Sequence, residues 1–457
     1  MISCINLLGG NNMNQTQDFT KGVIWKQLLF FFFPILIGSF FQQLYNTVDT
    51  IIVGQTVGTS ALAAVGSTGN LTNLIINFYV GLSTGASVVI AQYYGAQNNK
   101  KIHQAVHTSY SLAIVSGILM MLFGLFFSYQ CLDAIGTPHD ILNDATLYMQ
   151  LYFLCMIPGA IYNIGAGILR AVGDSKRPLY YLIVCSIVNV VFDFIFVVIF
   201  HQGIAGAAIA TVIAQSVCAI LVTIQLMRTN EVYKLTLSKM KFHLPVLKKI
   251  IMIGAPAGIQ STMYSISNIV LQSHINAFGT QTIASWSVYV KIDALFWMMI
   301  AAIGAAITTF SGQNYGAHLH DRIKKGTRTA LAMAFVMTIS ISTILCLTGS
   351  YITRLFSSDP HIIEECYSLM LFLMPFYFLY CCVEIFSGTM RGCGKSIKPM
   401  ILVCLGICVL RIAWLTFISP HYPTIKGVVV SYPVTWFTTS LLFIIYYKHF
   451  KKHHFDA

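Results

Sequence analysis

The chain is 457 residues long, and 56% of its residues are hydrophobic whereas only 9% are charged. Soluble domains carry roughly 25% charged residues, so this composition, with a mean hydropathy of +0.73, excludes a water-soluble globular protein. The 27 Lys and Arg residues outnumber the 15 Asp and Glu residues, which gives a formal net charge of +12. The basic residues lie in short segments between apolar runs, a pattern that indicates membrane topology and not nucleic-acid binding.

Apolar runs that are long enough to cross a bilayer recur along the whole chain. About 20 helical residues, rising about 1.5 Å each, cover a hydrocarbon core about 30 Å thick. These runs predict an all-α polytopic membrane protein of about twelve transmembrane helices, at residues 24–53, 61–91, 104–128, 143–170, 179–200, 205–228, 247–275, 283–312, 326–349, 362–390, 399–420 and 426–447.

The segments between the predicted helices differ sharply in charge. Of the 27 basic residues, 23 lie on the side of the N-terminus, whereas the segments on the opposite side hold only Arg354 and Lys426. Basic residues concentrate on the cytoplasmic side of membrane proteins. We therefore expect a multi-pass protein of the plasma membrane with both termini in the cytoplasm.

The chain repeats itself at a shift of 221 residues. Residues 92–96 (QYYGA) align with 313–317 (QNYGA), and residues 170–178 align with 391–399. Each half holds six predicted helices, and this even number makes the repeat parallel, an architecture whose two lobes commonly bind substrate between them. We predict a cytoplasmic tail at 1–23, an N-lobe at 24–228, a cytoplasmic inter-lobe linker at 229–246, a C-lobe at 247–447 and a second cytoplasmic tail at 448–457.

Two sequence signals concern helix geometry. Pro34 lies inside the first predicted helix, where it removes one backbone hydrogen bond and predicts either a hinge or a static kink. The GxxxG spacings at Gly54 and Gly58, at Gly81 and Gly85, and at Gly254 and Gly258 predict close packing of helices or mark helix ends.

Ionisable residues inside the predicted helices are candidate functional groups, because a charge in the bilayer costs roughly 2.5–3.5 kcal/mol on insertion scales. Counting residues from the outer ends of the helices places Asp49, Asp193 and Thr211 at similar depths in the outer half of the N-lobe. Asn189 precedes Asp193 by about one helical turn and shares its face. Oxygen ligands of these kinds suit Na⁺, and two neighbouring carboxylates also suit proton exchange. The sequence leaves both coupling ions open.

The C-lobe holds a second set of ionisable residues in its helices, namely Lys291, Asp293, Glu384 and Arg411. The depths of Asp293 and Arg411 predict an ion pair between them. The set as a whole indicates a structural or gating network of polar residues. The 221-residue shift pairs the acidic and polar residues of the N-lobe with apolar and aromatic residues, so only one lobe carries the predicted cation site.

Signatures of cofactors and catalysis are weak in this chain. The cysteines lie scattered through apolar segments, and the segment Gly392–Ser396 lacks the preceding glycine of a phosphate-binding loop because residue 389 is Thr389. A His-rich diiron set or a Ser/His pair at one depth in the membrane, as a membrane-embedded enzyme would need, does not appear in the sequence either. We therefore expect a protein that is not an enzyme, has no cofactor and binds no metal beyond a coupling Na⁺. Its energy source is then either an ion gradient or the gradient of the substrate itself.

Several motifs together resemble the multidrug and toxic compound extrusion (MATE) family over nearly the whole chain. They are residues 45–50 (YNTVDT), the two QxYGA motifs, 189–193 (NVVFD) and 203–211 (GIAGAAIAT). The resemblance implies two six-helix lobes around a central cavity and export of cationic or amphipathic organic compounds in exchange for H⁺ or Na⁺. By position, the family's first-lobe cation site corresponds to Asp49, Asn189, Asp193 and Thr211. The residue beside that site corresponds to Tyr45, and the family's proline in the first helix corresponds to Pro34.

The main alternative is a flippase for a lipid-linked sugar or another amphipathic lipid, because such transporters share the two-lobe plan. A flippase for a pyrophosphate headgroup should line its cavity with basic residues, whereas the N-lobe candidates are acidic and favour cationic substrates. A channel stays open as a further alternative, although repeated halves with one asymmetric acidic cluster favour alternating access. We expect small organic substrates and the lipid bilayer as partners, no nucleic acid, and a monomeric protein.

Overall fold

The structure is a computed structural model that describes residues 16–56, 59–134 and 136–455 of the protein. Every regular element in these ranges is helical. The helices form two lobes of six spans each, as the repeat predicts. Nearly all spans are longer than predicted, because the helices continue past their apolar runs into the flanking polar residues.

The N-lobe contains six spans, and its fourth span is made of two helices. In chain order they are α1 Ile24–Thr56, α2 Thr59–Gly95, α3 Asn99–Ala134, α4 His139–Phe153 with Met156–Ala171, α5 Lys176–Asp193 with a π-helical end at Phe194–Ile199, and α6 Gly203–Arg228.

The C-lobe repeats this order after a connection that contains one short 3₁₀ turn, Leu237–Lys239. Its spans are α7 Leu244–Asn276, α8 Thr280–Gly316, α9 His320–Arg354, α10 Pro360–Leu373 with Phe378–Gly392, α11 Ile397–Val403 continued to Ile418 by alternating π- and α-helical turns, and α12 Ile425–Val429 with Ser431–His454. The last helix extends into the range predicted as a tail, because Phe450 is buried and its ring stacks on His454.

Helix length and composition agree with a membrane protein. Among the described residues, nine helices are long and apolar enough to cross a bilayer, and the bent spans α4 and α10 raise the number to eleven. The remaining span, α7, does not reach this degree of apolarity, because its second half carries polar residues such as Gln260, Asn268 and Gln272. α7 packs along α2 of the other lobe, so protein covers part of its polar surface.

The two bent spans occupy equivalent positions in the repeat. The two helices of α4 meet at 44°, and those of α10 meet at 51°. Pro158 follows the first bend and Pro375 lies within the second. Proline has no N–H to donate and its ring clashes with the carbonyl four residues earlier, so both bends follow from the local sequence.

Each lobe has its own buried core, and each core also receives residues from the first helix of the other lobe. Leu28 and Phe31 of α1 belong to the core of the C-lobe. Ile250 and Ile253 of α7 belong to the core of the N-lobe. A shift of 222 residues relates the two pairs, so the exchange is symmetric and joins the lobes where α1 and α7 begin.

We call this side of the bundle, where α1 and α7 begin, the basal end. Here the two QxYGA motifs meet each other across the lobe boundary. Gln92 Nε2 donates a hydrogen bond to the carbonyl of Gly392 at 2.8 Å, and Gln313 Nε2 donates one to the carbonyl of Ala171, also at 2.8 Å. Both donors and both acceptors are related by the 221-residue shift. The repeated motif is therefore a two-fold symmetric clasp between the lobes.

Glycines allow the helices of the clasp to approach closely. A Cβ atom on Gly95 would collide with the backbone of Gln313, and one on Gly316 would collide with the backbone of Gln92. Gly81 faces Gly258 in the same way about 21 Å further along α2. The predicted close packing is thus confirmed for the segments 81–85 and 254–258, where it occurs between lobes, whereas Gly58 lies outside the described residues.

The segment before α1 adds an asymmetric contact to the clasp. The Phe19 side chain is fully buried, and its backbone N–H donates to Gln313 Oε1 at 3.0 Å. The N–H of Gln17 donates to the carbonyl of Gly173 in the N-lobe at 3.3 Å. Arg322 of the C-lobe donates to the carbonyl of Phe19 at 2.9 Å. Part of the predicted N-terminal tail therefore binds both lobes at the basal end.

Candidate functional site

Three of the predicted cation-site residues lie together between α5 and α6. Asn189 Nδ2 is 3.5 Å from Thr211 Oγ1, and Asp193 lies one turn along α5 from Asn189. Asn189 and Asp193 are completely buried, and Thr211 is 7% exposed. Thr211 also donates to the carbonyl of Ala207 in its own helix at 3.1 Å, a bond that orients its hydroxyl oxygen.

Asp49 of α1 completes this group from the neighbouring helix. Its carboxylate is close enough to that of Asp193 for the two to interact electrostatically. α1 packs extensively on α5, which brings these acidic residues from distant parts of the sequence together. The structure thus assembles the four residues Asp49, Asn189, Asp193 and Thr211 into one cluster, which we call the N-lobe cluster.

The N-lobe cluster contains buried oxygen atoms without a hydrogen-bond donor in the described part of the chain. They are both carboxylate oxygens of Asp193, Oδ1 of Asp49 and Oδ1 of Asn189. Burying a carboxylate without a partner is strongly unfavourable, so such a group requires a proton or a cation. All of these unpartnered atoms are oxygens, and hard cations such as Na⁺ prefer oxygen ligands over nitrogen or sulfur ligands.

Tyrosines surround the N-lobe cluster. The predicted residue Tyr45 is 9% exposed on α1, one turn before Asp49. Tyr148 and Tyr152 of α4 lie one turn apart with ring centroids separated by 6.1 Å. Tyr148 interacts electrostatically with both acidic residues, and Tyr152 interacts with Asp49. The two α4 tyrosines are not among the residues predicted from the sequence, although their spacing of four residues in an apolar helix was a signal.

Pro34 lies in α1, fifteen residues before Asp49, within one continuous helix. It borders a cavity of about 100 Å³ that α4, α5 and α6 also line, with Gln42, Asn163 and Arg170 among the polar side chains. Proline leaves one carbonyl of the helix without its usual hydrogen-bond donor, so α1 can bend more easily at this position, and the cavity beside it leaves room for such a bend. The hinge stays a prediction that this geometry favours.

The C-lobe residues form two separate polar groups. Asp293 of α8 accepts hydrogen bonds from Trp297 Nε1, at 2.8 Å, and from the Tyr377 hydroxyl. Tyr377 is in turn 2.6 Å from the hydroxyl of Tyr289. Unlike Asp193, Asp293 thus has a donor for each carboxylate oxygen. Aromatic rings of α8, α10 and α12 enclose this group.

The predicted ion pair between Asp293 and Arg411 is wrong. Arg411 is 1% exposed, donates to Asn268 Oδ1 at 2.9 Å, and lies over the ring of Tyr432 at 4.1 Å. Equal depth did not bring the two residues together, because the amide of α7 and the aromatic ring of α12 are the nearer partners of the guanidinium.

The other two C-lobe predictions also require correction. Glu384 is part of a salt bridge with Arg391, two turns along α10, at 2.8 Å, so it forms a local pair and does not join Asp293. Lys291 is exposed and has no ion pair or hydrogen bond within the described ranges. It lies two residues from both Tyr289 and Asp293 and therefore points to the opposite side of α8.

Comparison with known proteins agrees with this architecture. The MatE family model matches residues 34–195 and again 256–416, which are the two halves of the repeat. The probable multidrug resistance protein YoeA of Bacillus subtilis is 27% identical over 95% of both chains. The probable multidrug resistance protein NorM of Thermotoga maritima is 23% identical over 85% of this chain and 84% of that protein. The multidrug export protein MepA of Staphylococcus aureus is 21% identical over 86% of each chain.

Solved structures share the same fold. A structure titled as MATE in the straight conformation matches with a TM-score of 0.91 at 23% identity, and the match covers 98% of this chain and 100% of that one. A structure titled as MATE in the bent conformation matches with a TM-score of 0.89 at 24% identity over 97% and 99% of the two chains. Two family matches, one to each lobe, account for more than half of the sequence, and the chain therefore belongs to the MATE family of transporters.

Proposed function

We propose that this protein is a secondary active transporter that exports cationic or amphipathic organic compounds from the cell in exchange for H⁺ or Na⁺. The multidrug resistance and export functions named for its relatives support the substrate class. The positive-inside rule supports a plasma-membrane orientation in which the basal end and both termini face the cytoplasm. The protein works in this proposal as a monomer, without a cofactor and without enzymatic activity.

The observation that carries the proposal is the set of unpartnered oxygens in the N-lobe cluster. Asp193 has two buried carboxylate oxygens without a donor, and Asp49 has one, in the described part of the structure. Two such carboxylates near each other cannot both be stably charged, so the cluster must take up a proton or a metal cation. If one conformation of the lobe is stable only when a cation or proton occupies this site, ion binding favours that conformation and is thereby coupled to it.

The inter-lobe contacts support an alternating-access mechanism. The symmetric clasp and residues 17–22 seal the lobes together at the basal end. Export of a cytoplasmic substrate requires this seal to break in one part of the cycle. The cation would bind from the outer side, and its arrival at the N-lobe cluster would displace the substrate through a movement of α1 at Pro34.

Efflux in a pump-deficient bacterial host tests the proposal. Cells that produce the wild-type protein should retain less ethidium than cells with the empty vector, and collapsing the ion gradients should abolish the difference. Asp49→Asn and Asp193→Asn should each raise ethidium retention to the empty-vector level, whereas the Asp293→Asn control, in the other lobe, should retain efflux. Equal efflux by the wild type and both N-lobe variants at equal protein levels would overturn the proposed site.

A further inference from the structure

Lys291 has properties that neither the N-lobe cluster nor the C-lobe polar groups explain. It lies 11 residues inside α8, a helix of 37 residues, and about 10 Å from the middle of that helix. Its side chain is exposed. Charged residues at such depths almost always face the interior of the bundle or a water-filled cavity and not the lipid. The direction in which Lys291 points therefore decides its role.

Helical geometry gives that direction. The α8 residues Tyr289 and Asp293 contact α10, inside the C-lobe. Lys291 lies two residues from each of them and hence on the opposite face of α8. Gly316 lies 25 residues, or about seven full turns, further along the same helix, so it shares the face of Lys291. Gly316 packs against Gln92 of α2 in the N-lobe. Lys291 thus faces the other lobe.

The lobes are not packed together around Lys291. At the basal end the same face of α8 lies in close backbone contact with α2, whereas Lys291 is exposed. Its ammonium group therefore lies at the wall of the cleft between the lobes, within the depth of the membrane. It has no acidic partner in the described ranges. By contrast, Asp193 is completely buried inside the N-lobe and does not line this cleft.

We propose that Lys291 is a substrate-specificity residue of the inter-lobe cleft that binds an acidic group of the transported compound. This inference rests on the proposed transport function and refines its substrate class. The substrates then include amphipathic compounds that carry a carboxylate, sulfonate or phosphate, either as anions or as zwitterions with an additional cationic centre. The N-lobe cluster serves the coupling cation, and a permanently cationic substrate gains nothing from Lys291.

Transport of a matched pair of probes in proteoliposomes tests this inference. Norfloxacin carries a carboxylate, and tetraphenylphosphonium carries only a positive charge. We expect Lys291→Met to raise the KM for norfloxacin about tenfold or more, since it removes a charge-assisted hydrogen bond. Lys291→Arg should keep the KM within about threefold, because the charge stays. Tetraphenylphosphonium transport should be unchanged or faster in Lys291→Met.

Control measurements separate this role from a structural one. Ser287→Ala changes an exposed residue one turn away on the same side of α8 and should not alter either KM. If Lys291→Met does not fold, Lys291→Gln and the Arg variant provide the same comparison of charge. A parallel assay with fluorescent phosphatidylglycerol determines whether the acidic group belongs to a lipid. If transport of that probe alone depends on Lys291, the same chemistry is supported with a lipid as the source of the acidic group.

Three results would overturn the inference. Equal losses for norfloxacin and tetraphenylphosphonium in Lys291→Met would assign Lys291 a structural role. Unchanged transport of all acidic probes in that variant would show that the ammonium group binds none of them. Wild-type transport of tetraphenylphosphonium but of no acidic probe would refute the substrate class and leave the proposed function standing. Absence of any driven transport by the wild type would instead refute the proposed function itself.

Discussion

The two lobes share one fold but treat their buried acidic residues in opposite ways. In the N-lobe, Asp193 is completely buried and neither of its carboxylate oxygens receives a hydrogen bond from a described residue. In the C-lobe, Asp293 accepts hydrogen bonds from Trp297 and Tyr377. A carboxylate whose partners are supplied by the protein has little need of an external cation, whereas one without partners requires it. The two lobes thus keep the same frame of helices but differ in whether the protein itself supplies hydrogen-bond donors to a buried carboxylate.

The largest expected effect concerns the linkage between cation and substrate. Antiport requires the cation to weaken substrate binding, and coupling free energies of about 1–3 kcal/mol correspond to about 5–150-fold changes in affinity. The Kd of the wild type for a fluorescent substrate should rise within this range when saturating H⁺ or Na⁺ is supplied. In Asp193→Asn the Kd should not change with either cation.

Titration of the purified protein in detergent across pH and Na⁺ concentration measures this linkage. Asp293→Asn is the matched control from the other lobe and should keep the full dependence. An Asp193→Asn protein that still shows the wild-type shift in Kd would place the coupling site elsewhere.

A second, smaller effect should distinguish the two halves of the basal clasp. The side chain of Gln313 donates to Ala171 and also accepts from the backbone of Phe19, whereas within the described residues the side chain of Gln92 makes one hydrogen bond, to Gly392. Each net hydrogen bond contributes about 0.5–1.5 kcal/mol. Gln313→Ala should therefore shift the lobes toward the state that is open at the basal end about fivefold more than Gln92→Ala.

Spin labels placed on the basal ends of α2 and α8 can measure this shift as a change in the distance distribution. Equal shifts for the two variants would show that the contact with residues 17–22 does not stabilise the closed state.

The C-lobe offers a prediction about stability and not about coupling. Asp293→Asn removes the charge from the hydrogen bonds with Trp297 and Tyr377, and its amide N–H requires the Tyr377 hydroxyl to accept and to donate to Tyr289 instead. Hydrogen bonds to charged groups contribute about 1.5–3 kcal/mol and neutral ones about 0.5–1.5 kcal/mol, so the variant should lose about 1 kcal/mol of stability. The melting temperature in detergent should fall accordingly, while that of Asp193→Asn should stay the same or rise. The opposite order of melting temperatures would contradict the contrast between the lobes.

The smallest expected effect is at Thr211. Thr211→Ser keeps the hydroxyl oxygen and its bond to Ala207, so cation-driven transport should change by less than about threefold. Thr211→Val has a similar shape without the oxygen and should weaken the apparent cation affinity about tenfold. Concentration dependence of transport on the coupling cation distinguishes the two variants. A loss in Thr211→Ser as large as in Thr211→Val would indicate that the methyl packing matters more than the oxygen.

The sequence predicted depth along the membrane far better than direction around each helix. The count of residues from helix ends placed Asp49, Asp193 and Thr211 at one level, and the structure brings them together. The same count also placed Asp293 level with Arg411, yet Arg411 contacts Asn268 instead. Which side of a helix meets which neighbour depends on tertiary packing, and a single sequence carries no direct measure of it.

The same limitation explains the residues that the sequence did not indicate. Tyr148 and Tyr152 reach the N-lobe cluster only because α4 is bent and packs beside α6. The role of Phe19 depends on contacts with residues almost 300 positions away in the chain. The repeated QxYGA motif was visible as a pattern, but its function as an inter-lobe clasp follows only from seeing both copies in contact.

Cation-driven substrate counterflow in proteoliposomes tests the central claim most directly. Wild type, Asp193→Asn and Asp293→Asn would be reconstituted at equal density and given an imposed pH gradient or an imposed Na⁺ gradient. We predict that one of the two gradients accelerates substrate exchange in the wild type and in Asp293→Asn but leaves Asp193→Asn at the rate of empty liposomes. Full gradient-driven exchange by Asp193→Asn, or its loss in Asp293→Asn alone, would contradict the assignment of cation coupling to the N-lobe.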